Sequence, residues 1–326
     1  MRFVFAADAL QDPHHWHALD RILSTVDDGW HEWQIDDPDL LEASPWLQGS
    51  NRPLLRKLYE QATVRSTYPS AGHLHRQSWV VSLSAAPGTL APPAAARFLG
   101  RALCVCVENR FTDGLFFDAV LDLLAPEELQ VFLVRCKVSP IKCDGGGGFG
   151  ELPKIIEAHV QELAALGLPP RAVVFADSDA QFPGDVSKGA EIIAKSCQTH
   201  AIAGLILSKR AIENYIPDEV LQGWAAEPDN QAARPRVAAV CRLTPEQRDH
   251  LAMKKKFPQQ FKTEQERGLF ASVPPTDAAL MRECGFKDDL IERLKTHRHH
   301  LSAEALRRRD GKGELDRLVN MIIDAL

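Results

Sequence analysis

Apolar and polar positions alternate over short segments in the first hundred residues. Arg2–Ala6, Glu32–Ile35 and Trp79–Leu83 carry the aromatic and β-branched runs of strands, and Arg52–Val64, opening at Pro53, has the start of a helix. From Ser84 to Pro93 the Pro-Gly and Pro-Pro pairs break regular structure, which predicts a domain boundary there. The pattern then changes. Ala102–Val107 and Ala172–Ala176 are uninterrupted apolar runs, as strands covered on both faces require, and Leu129–Val134 and Gly204–Leu207 read as two more strands. Helical spacing over Asp113–Leu124, Leu152–Leu166 and Val186–Thr199 separates them; Pro153 and Gly167 bracket the second of these helices. The β-α-β-α-β-α-β order predicts a parallel sheet with right-handed crossovers. Beyond Arg210 only helical stretches follow, clearest over Asp288–His300 and Glu314–Ala325. The expectation is an α/β protein: an N-terminal α+β segment over 1–100, a parallel sheet flanked by helices over 101–220, and a helical C-terminal region over 221–326.

Composition narrows the class. The chain has 326 residues, 45% hydrophobic and 25% charged, as in ordinary globular proteins. No apolar run reaches the roughly 18 residues of a membrane span. The apolar start meets Asp8 too soon for a secretory signal, so a cytoplasmic protein without a membrane partner is expected. With 38 basic against 44 acidic residues, a net charge of −6 excludes a strongly basic nucleic-acid coat. A slight excess of bases after residue 240 places any phosphate-binding surface in the second half. There are 7 cysteines and no CxxC pair, which predicts reduced, buried thiols and no structural zinc site. The histidine groups at 14–17, 73–75 and 297–300 lack a second element at zinc-site spacing and read as surface residues.

Ligands of open parallel sheets bind at the carboxyl ends of strands. Glu108 follows the first strand of the 101–220 region. Asp144 and the glycines 145–148 follow the second, Asp177 and Asp179 the third, and Lys209, Arg210 and Glu213 the fourth. Crowded carboxylates repel one another unless a cation neutralises them, and an all-oxygen donor set favours Mg²⁺ or Mn²⁺. Lys209, or one of Lys254–Lys256, would meet a phosphate there. Plainer readings compete: Asp177-Ser178-Asp179 as a polar turn, Glu213 paired with Arg210, Tyr215 as packing, Arg307–Arg309 as a solvated face or a non-specific nucleic-acid contact. The glycine run is either a phosphate nest or a loose connection, and Asp113 either a ligand or a helix cap.

An apolar strand ending in Val107-Glu108, then one ending in Asp177-Ser178-Asp179, then Lys209-Arg210-Ala211-Ile212-Glu213-Asn214-Tyr215 resembles the Toprim domain of nucleases of the OLD (overcoming lysogenization defect) type. The resemblance covers residues 101–220. It implies a Toprim-like sheet and a metal-dependent nuclease acting on DNA or RNA. Glu108, Asp177 and Asp179 would hold Mg²⁺ or Mn²⁺, with Glu213 as an outer ligand and Asp113 as a further candidate. A role in anti-phage defence follows from the same resemblance. The chain lacks a GxxxxGK[ST] P-loop, so an ABC-type ATPase would be a separate subunit, with residues 1–100 as its docking module. Two departures stand out: Asn109 where the family has Gly, and Thr112 where a second acid is common, Asp113 being one position further on. They leave two alternatives, a primase- or topoisomerase-like subunit and a non-catalytic Toprim protein that assembles a complex. Homo-oligomerisation is left open. No Gly-x-Ser-x-Gly elbow points to a serine hydrolase.

Overall fold

The computed structural model describes residues 1–49, 53–67, 77–148, 150–283, 285–286 and 290–326. The His73/His75 pair and the expected helix starts at Arg52 and Asp288 lie outside the described residues.

Two four-stranded sheets, each wholly parallel, organise the chain. The first has the order β2-β1-β3-β4, from β1 (Arg2–Phe5), β2 (Glu32–Trp33), β3 (Ser78–Val81) and β4 (Thr89–Leu90). Residues 1–100 are therefore α/β rather than α+β. The crossover helix between β1 and β2, α1 (Trp16–Asp27), has no counterpart in the elements read from the sequence. α2 spans Pro53–Thr67. The Pro-rich stretch is not a boundary either: it holds β4 and the proline start of α3 (Pro92–Leu99), and Leu90, Ala95, Ala96, Phe98 and Leu99 are all buried in the first core. The chain passes to the second sheet only after Gly100.

The second sheet has the order β6-β5-β7-β8, built from β5 (Leu103–Val107), β6 (Ile141–Gly145), β7 (Ala172–Ala176) and β8 (Ala203–Ile206). β5 and β7 are buried at every position, as their uninterrupted apolar sequence requires. α4 (Thr112–Leu124) follows β5. The expected strand over 129–134 is instead part of α5 (Glu127–Arg135). A short apolar run, here interrupted by Gln130, does not separate strand from helix by period alone, and Pro126, Glu127 and Glu128 supply a helix start. Only Leu129 of that helix is buried, while Val134 is 86% exposed. The true second strand, Ile-Lys-Cys-Asp-Gly, is a half-exposed edge strand with little apolar signal.

Alternate residues of the central strands feed two cores. Leu103, Val105, Val107, Val173 and Phe175 face α4 and the C-terminal helices, among them α8 (Asp218–Ala226), α9 (Arg234–Cys241), α10 (Leu290–Thr296) and α11 (Glu314–Ala325). Cys104, Cys106, Ala172, Val174 and Ala176 face α6 (Leu152–Ala164) and α7 (Lys188–Thr199). Residues beyond 220 thus form one layer over this sheet. The two sheet units meet through Leu163 and Leu168, which enter the first core, and through buried Arg171, which donates to the Phe98 carbonyl at 3.3 Å. Among the described residues, no helix is long and apolar enough to cross a membrane.

Candidate metal centre

Strand order reverses between β5 and β7, so the crevice beyond their carboxyl ends is the topological switch point. Glu108 leaves β5 there and Asp177 leaves β7. The Asp177 N–H donates to Glu108 Oε1 at 3.2 Å, holding the two strand ends together.

The loops after β7 and β8 are stitched side by side. The Ser178 hydroxyl donates to the Lys209 carbonyl (2.8 Å), the Asp179 N–H to the Arg210 carbonyl (2.9 Å), and the Ile212 N–H to Asp177 Oδ1 (2.9 Å). Asp179 sits at φ +51°, a left-handed conformation that Asp tolerates better than most residues. This lacing brings Glu213 to the crevice. Asn214, wholly buried, fixes the turn from the other side: its amide donates to the carbonyls of Arg248 (2.7 Å) and Leu251 (2.9 Å). The segment so anchored runs on to Lys254, whose ammonium lies 2.9 Å from Glu213 Oε1.

The carboxylates perturb one another. Burial, then Asp113 and Asp179, raises the Glu108 pKa from 4.5 to about 8. Burial, then Glu213, Glu108 and Asp113, pushes Asp177 well up, and burial raises Asp113 and Glu213. At Lys254 burial acts to lower the pKa, but Glu213, Asp177 and Asp113 outweigh it and the net direction is up. Among the described residues that act on these groups, Lys254 is the cation set against Glu108, Asp113, Asp177, Asp179 and Glu213, so the charge is under-neutralised. Glu213 Oε1 is buried, and apart from that ion pair it accepts no well-aligned hydrogen bond. An all-oxygen set with an under-satisfied buried oxygen fits a hard divalent cation. The ligand atoms are spread, however: among the described residues the only groups of three or more within 4.8 Å of one another are Cys104/Cys106/His159 and His297/His299/His300. Mg²⁺ keeps several of its waters, which suits a wide acidic ring.

Each expected residue has a definite place. Glu108, Asp177, Asp179 and Glu213 converge at the crevice. Asp113 faces it electrostatically, but its oxygens accept the Asn109 N–H (2.9 Å) and the Thr112 hydroxyl (3.0 Å), and Asn109 in turn accepts the Phe111 N–H (2.9 Å). Asn109 and Asp113 together close the start of α4, much as a capping box does. Lys209 is turned away from the acids: it is 3% exposed, donates to Asp249 at 2.6 Å and sits 5.3 Å over the Tyr215 ring. Of the candidate lysines, Lys254 lies beside the acids, through Glu213. Glu213 pairs with Lys254 rather than Arg210. Tyr215 is core, its hydroxyl bound to Glu314. Arg307 and Arg308 are solvated and ion-paired, to Asp316 and Glu219, while the more covered Arg309 pairs with Asp249.

The glycine run starts inside β6, not after a strand at 129–134. Gly145 lies so close to β5 that a Cβ there would stand 2.2 Å from the Val107 carbonyl oxygen, and Gly147 and Gly148 take φ +85° and +74°. Gly148 then contacts the Glu108 carbonyl at 3.4 Å, so the run folds back on the acidic centre. Beside the Asp179 loop, Arg210, Lys255, Lys256 and Lys262 line a cleft of about 160 Å³ with Gln181, Gln260 and Phe261. His297 is buried, 3.5 Å from Glu227, whereas His299, His300, His14 and His17 are exposed as expected. Comparison with protein-family models, with curated proteins and with solved structures returned no match.

Proposed function

We propose that the protein is a divalent-metal-dependent nuclease. The carrying observation is the meeting of Glu108, Asp177, Asp179 and Glu213 at the switch point of a parallel sheet, with the pKa values of Glu108, Asp177 and Glu213 raised and the Lys254 ammonium beside them. Glu108, Asp177 and Asp179 would hold Mg²⁺ or Mn²⁺, with Glu213 and Asp113 behind them. When bound, such an ion lowers the pKa of a water and offsets charge on a phosphate oxygen. The chain's own residues supply the rest. Lys254 is positioned to carry charge developing on a non-bridging phosphate oxygen, a contribution of about 10²–10³-fold in such sites. Arg210, Lys255, Lys256 and Lys262 align a phosphodiester backbone along the neighbouring cleft. Their local charge supports nucleic acid, DNA or RNA, as substrate despite the net acidity of the chain. Action in anti-phage defence beside an ABC-type ATPase rests on the resemblance of residues 101–220 to OLD-type Toprim nucleases.

The test is incubation of the full chain, alone and with the product of the neighbouring gene, with plasmid DNA and with total tRNA in Mg²⁺, Mn²⁺ or EDTA. Cleavage in metal that is absent in EDTA and lost in Asp177→Ala is expected. No cleavage of either substrate, or equal cleavage by the variant, overturns the proposal.

A further inference from the structure

A second donor cluster lies on the other face of the same sheet, beneath α6. Cys104 and Cys106 alternate onto that face of β5, and Asp144 pairs with Cys106 in register on β6. His159 comes down from α6. The sulfurs of Cys104 and Cys106 are 3.6 Å apart, Cys104 Sγ is 3.2 Å from His159 Nε2, and that same nitrogen is 2.9 Å from Asp144 Oδ2. Both thiols are free and buried. From these positions we infer that Cys104, Cys106 and His159 form a zinc site, with Asp144, beside His159, as the carboxylate that would complete it.

Zn²⁺ takes Cys sulfur at about 2.3 Å and His nitrogen or carboxylate oxygen at about 2.0–2.2 Å in a tetrahedron. Those bond lengths set ligand–ligand edges of roughly 3.8 Å for S···S, 3.6 Å for S···N and 3.4 Å for N···O. The three measured separations fall within about half an ångström of these edges, on the short side, as hydrogen-bonded groups without an ion between them do. The two buried thiolates and the imidazole set the site, and the more exposed Asp144 has to shift toward the sulfurs to supply a fourth, oxygen ligand. Two thiol protons leave to solvent as the ion binds.

The competing reading is a cysteine nucleophile with a His-Asp relay. Such a relay places base and orienter on opposite nitrogens of the ring. Here thiol and carboxylate meet at one nitrogen, Nε2, which is convergence on a point. Cys104 is also only 6% exposed. The sequence lacks the usual CxxC signal because alternation on a strand, Cys-Val-Cys, is what puts both sulfurs on one face. The site would tie β5, β6 and α6 together just below Glu108 and Gly145.

The test needs no nuclease activity. The full chain is purified from zinc-supplemented culture for elemental analysis, and the metal-stripped, reduced protein is titrated with Co²⁺ alone. One zinc per chain is expected, together with thiolate-to-Co²⁺ charge transfer and the intense visible bands of a tetrahedral ion. His159→Gln and Asp144→Asn, at half-buried positions, weaken zinc binding about a hundredfold or more with the far-ultraviolet dichroism unchanged. Cys143→Ser, on the opposite face, leaves it intact. Absence of zinc and of the charge-transfer band, undiminished binding by His159→Gln, or a Cys104–Cys106 disulfide in the purified chain would each overturn the assignment.

Discussion

Glu108→Gln should make the metal-free protein more stable, and the pH at which it does so follows from the crowding of acids at the β5 and β7 ends. Burial and the neighbouring carboxylates lift Glu108 from 4.5 to about 8. The folded, metal-free chain therefore keeps a proton that the unfolded chain has released near 4.5. Stability from this group is fully present below pH 4.5 and is lost as pH rises through about 8. At about 1.4 kcal/mol per pH unit, the interval caps the loss at about 5 kcal/mol. Water entering the crevice and relaxation of the acids bring the expected value to about 2–3 kcal/mol. Asp177 is raised in the same direction and adds to the slope. Urea unfolding of wild type and Glu108→Gln in EDTA, from pH 5 to 9, isolates the Glu108 part as the difference between the two curves. The variant should match wild type near pH 5 and exceed it by about 2–3 kcal/mol at pH 9. Saturating Mg²⁺ should stabilise wild type by ~2.7 kcal/mol at a hundredfold excess over its dissociation constant, and the variant by less. Parallel curves in EDTA, or a wild type that gains on the variant as pH rises, would refute the reasoning.

Lys254→Ala should lower cleavage per folded molecule by about 10²–10³-fold and, by stripping buried Glu213 of its counter-ion, also cost about 1–3 kcal/mol, whereas Lys209→Met should cost a similar amount in unfolding and leave turnover per folded molecule within a few fold. Chemical denaturation and single-turnover kinetics separate the two lysines. Asn214→Ala removes two buried carbonyl contacts and should destabilise by about 2–3 kcal/mol, read as a shift in the urea midpoint at constant m-value. Replacing Lys255 and Lys256 together by Ala should weaken oligonucleotide binding for all sequences and reduce the salt slope by about two, measured by fluorescence anisotropy.

Much of the second sheet was legible because β5 and β7 are buried on both faces, and such strands must be apolar throughout. β6 was not, because an edge strand ending in Asp144-Gly145 carries no such demand, and the apolar run just before it is a helix. Three strands of the first sheet were legible from their aromatic and β-branched runs, whereas β4, two residues inside the Pro-rich stretch, is too short for a period to show. At the site, the strand-end rule alone picks out Glu108, Asp177 and Asp179. The 209–215 element was recognisable, but the work of each residue was not: Lys209 and Tyr215 hold the turn from behind, Asn214 clamps it, and Glu213 faces the crevice. Asp249 and Glu314, which secure Lys209 and Tyr215, are far away in sequence, and nothing local marks them. The Cys104/Cys106/His159 cluster likewise draws on β5 and α6, which only the fold brings together.

The central claim is that Glu108 and Asp177 form a divalent-metal centre, and electron paramagnetic resonance of free Mn²⁺ reports that directly. Titration of the metal-stripped chain should show saturable Mn²⁺ binding at neutral pH that Mg²⁺ displaces. Asp177→Asn and Glu108→Gln, folded by circular dichroism, should each weaken it at least tenfold. Equal Mn²⁺ binding by wild type and both variants, or none by the wild type, would contradict the account.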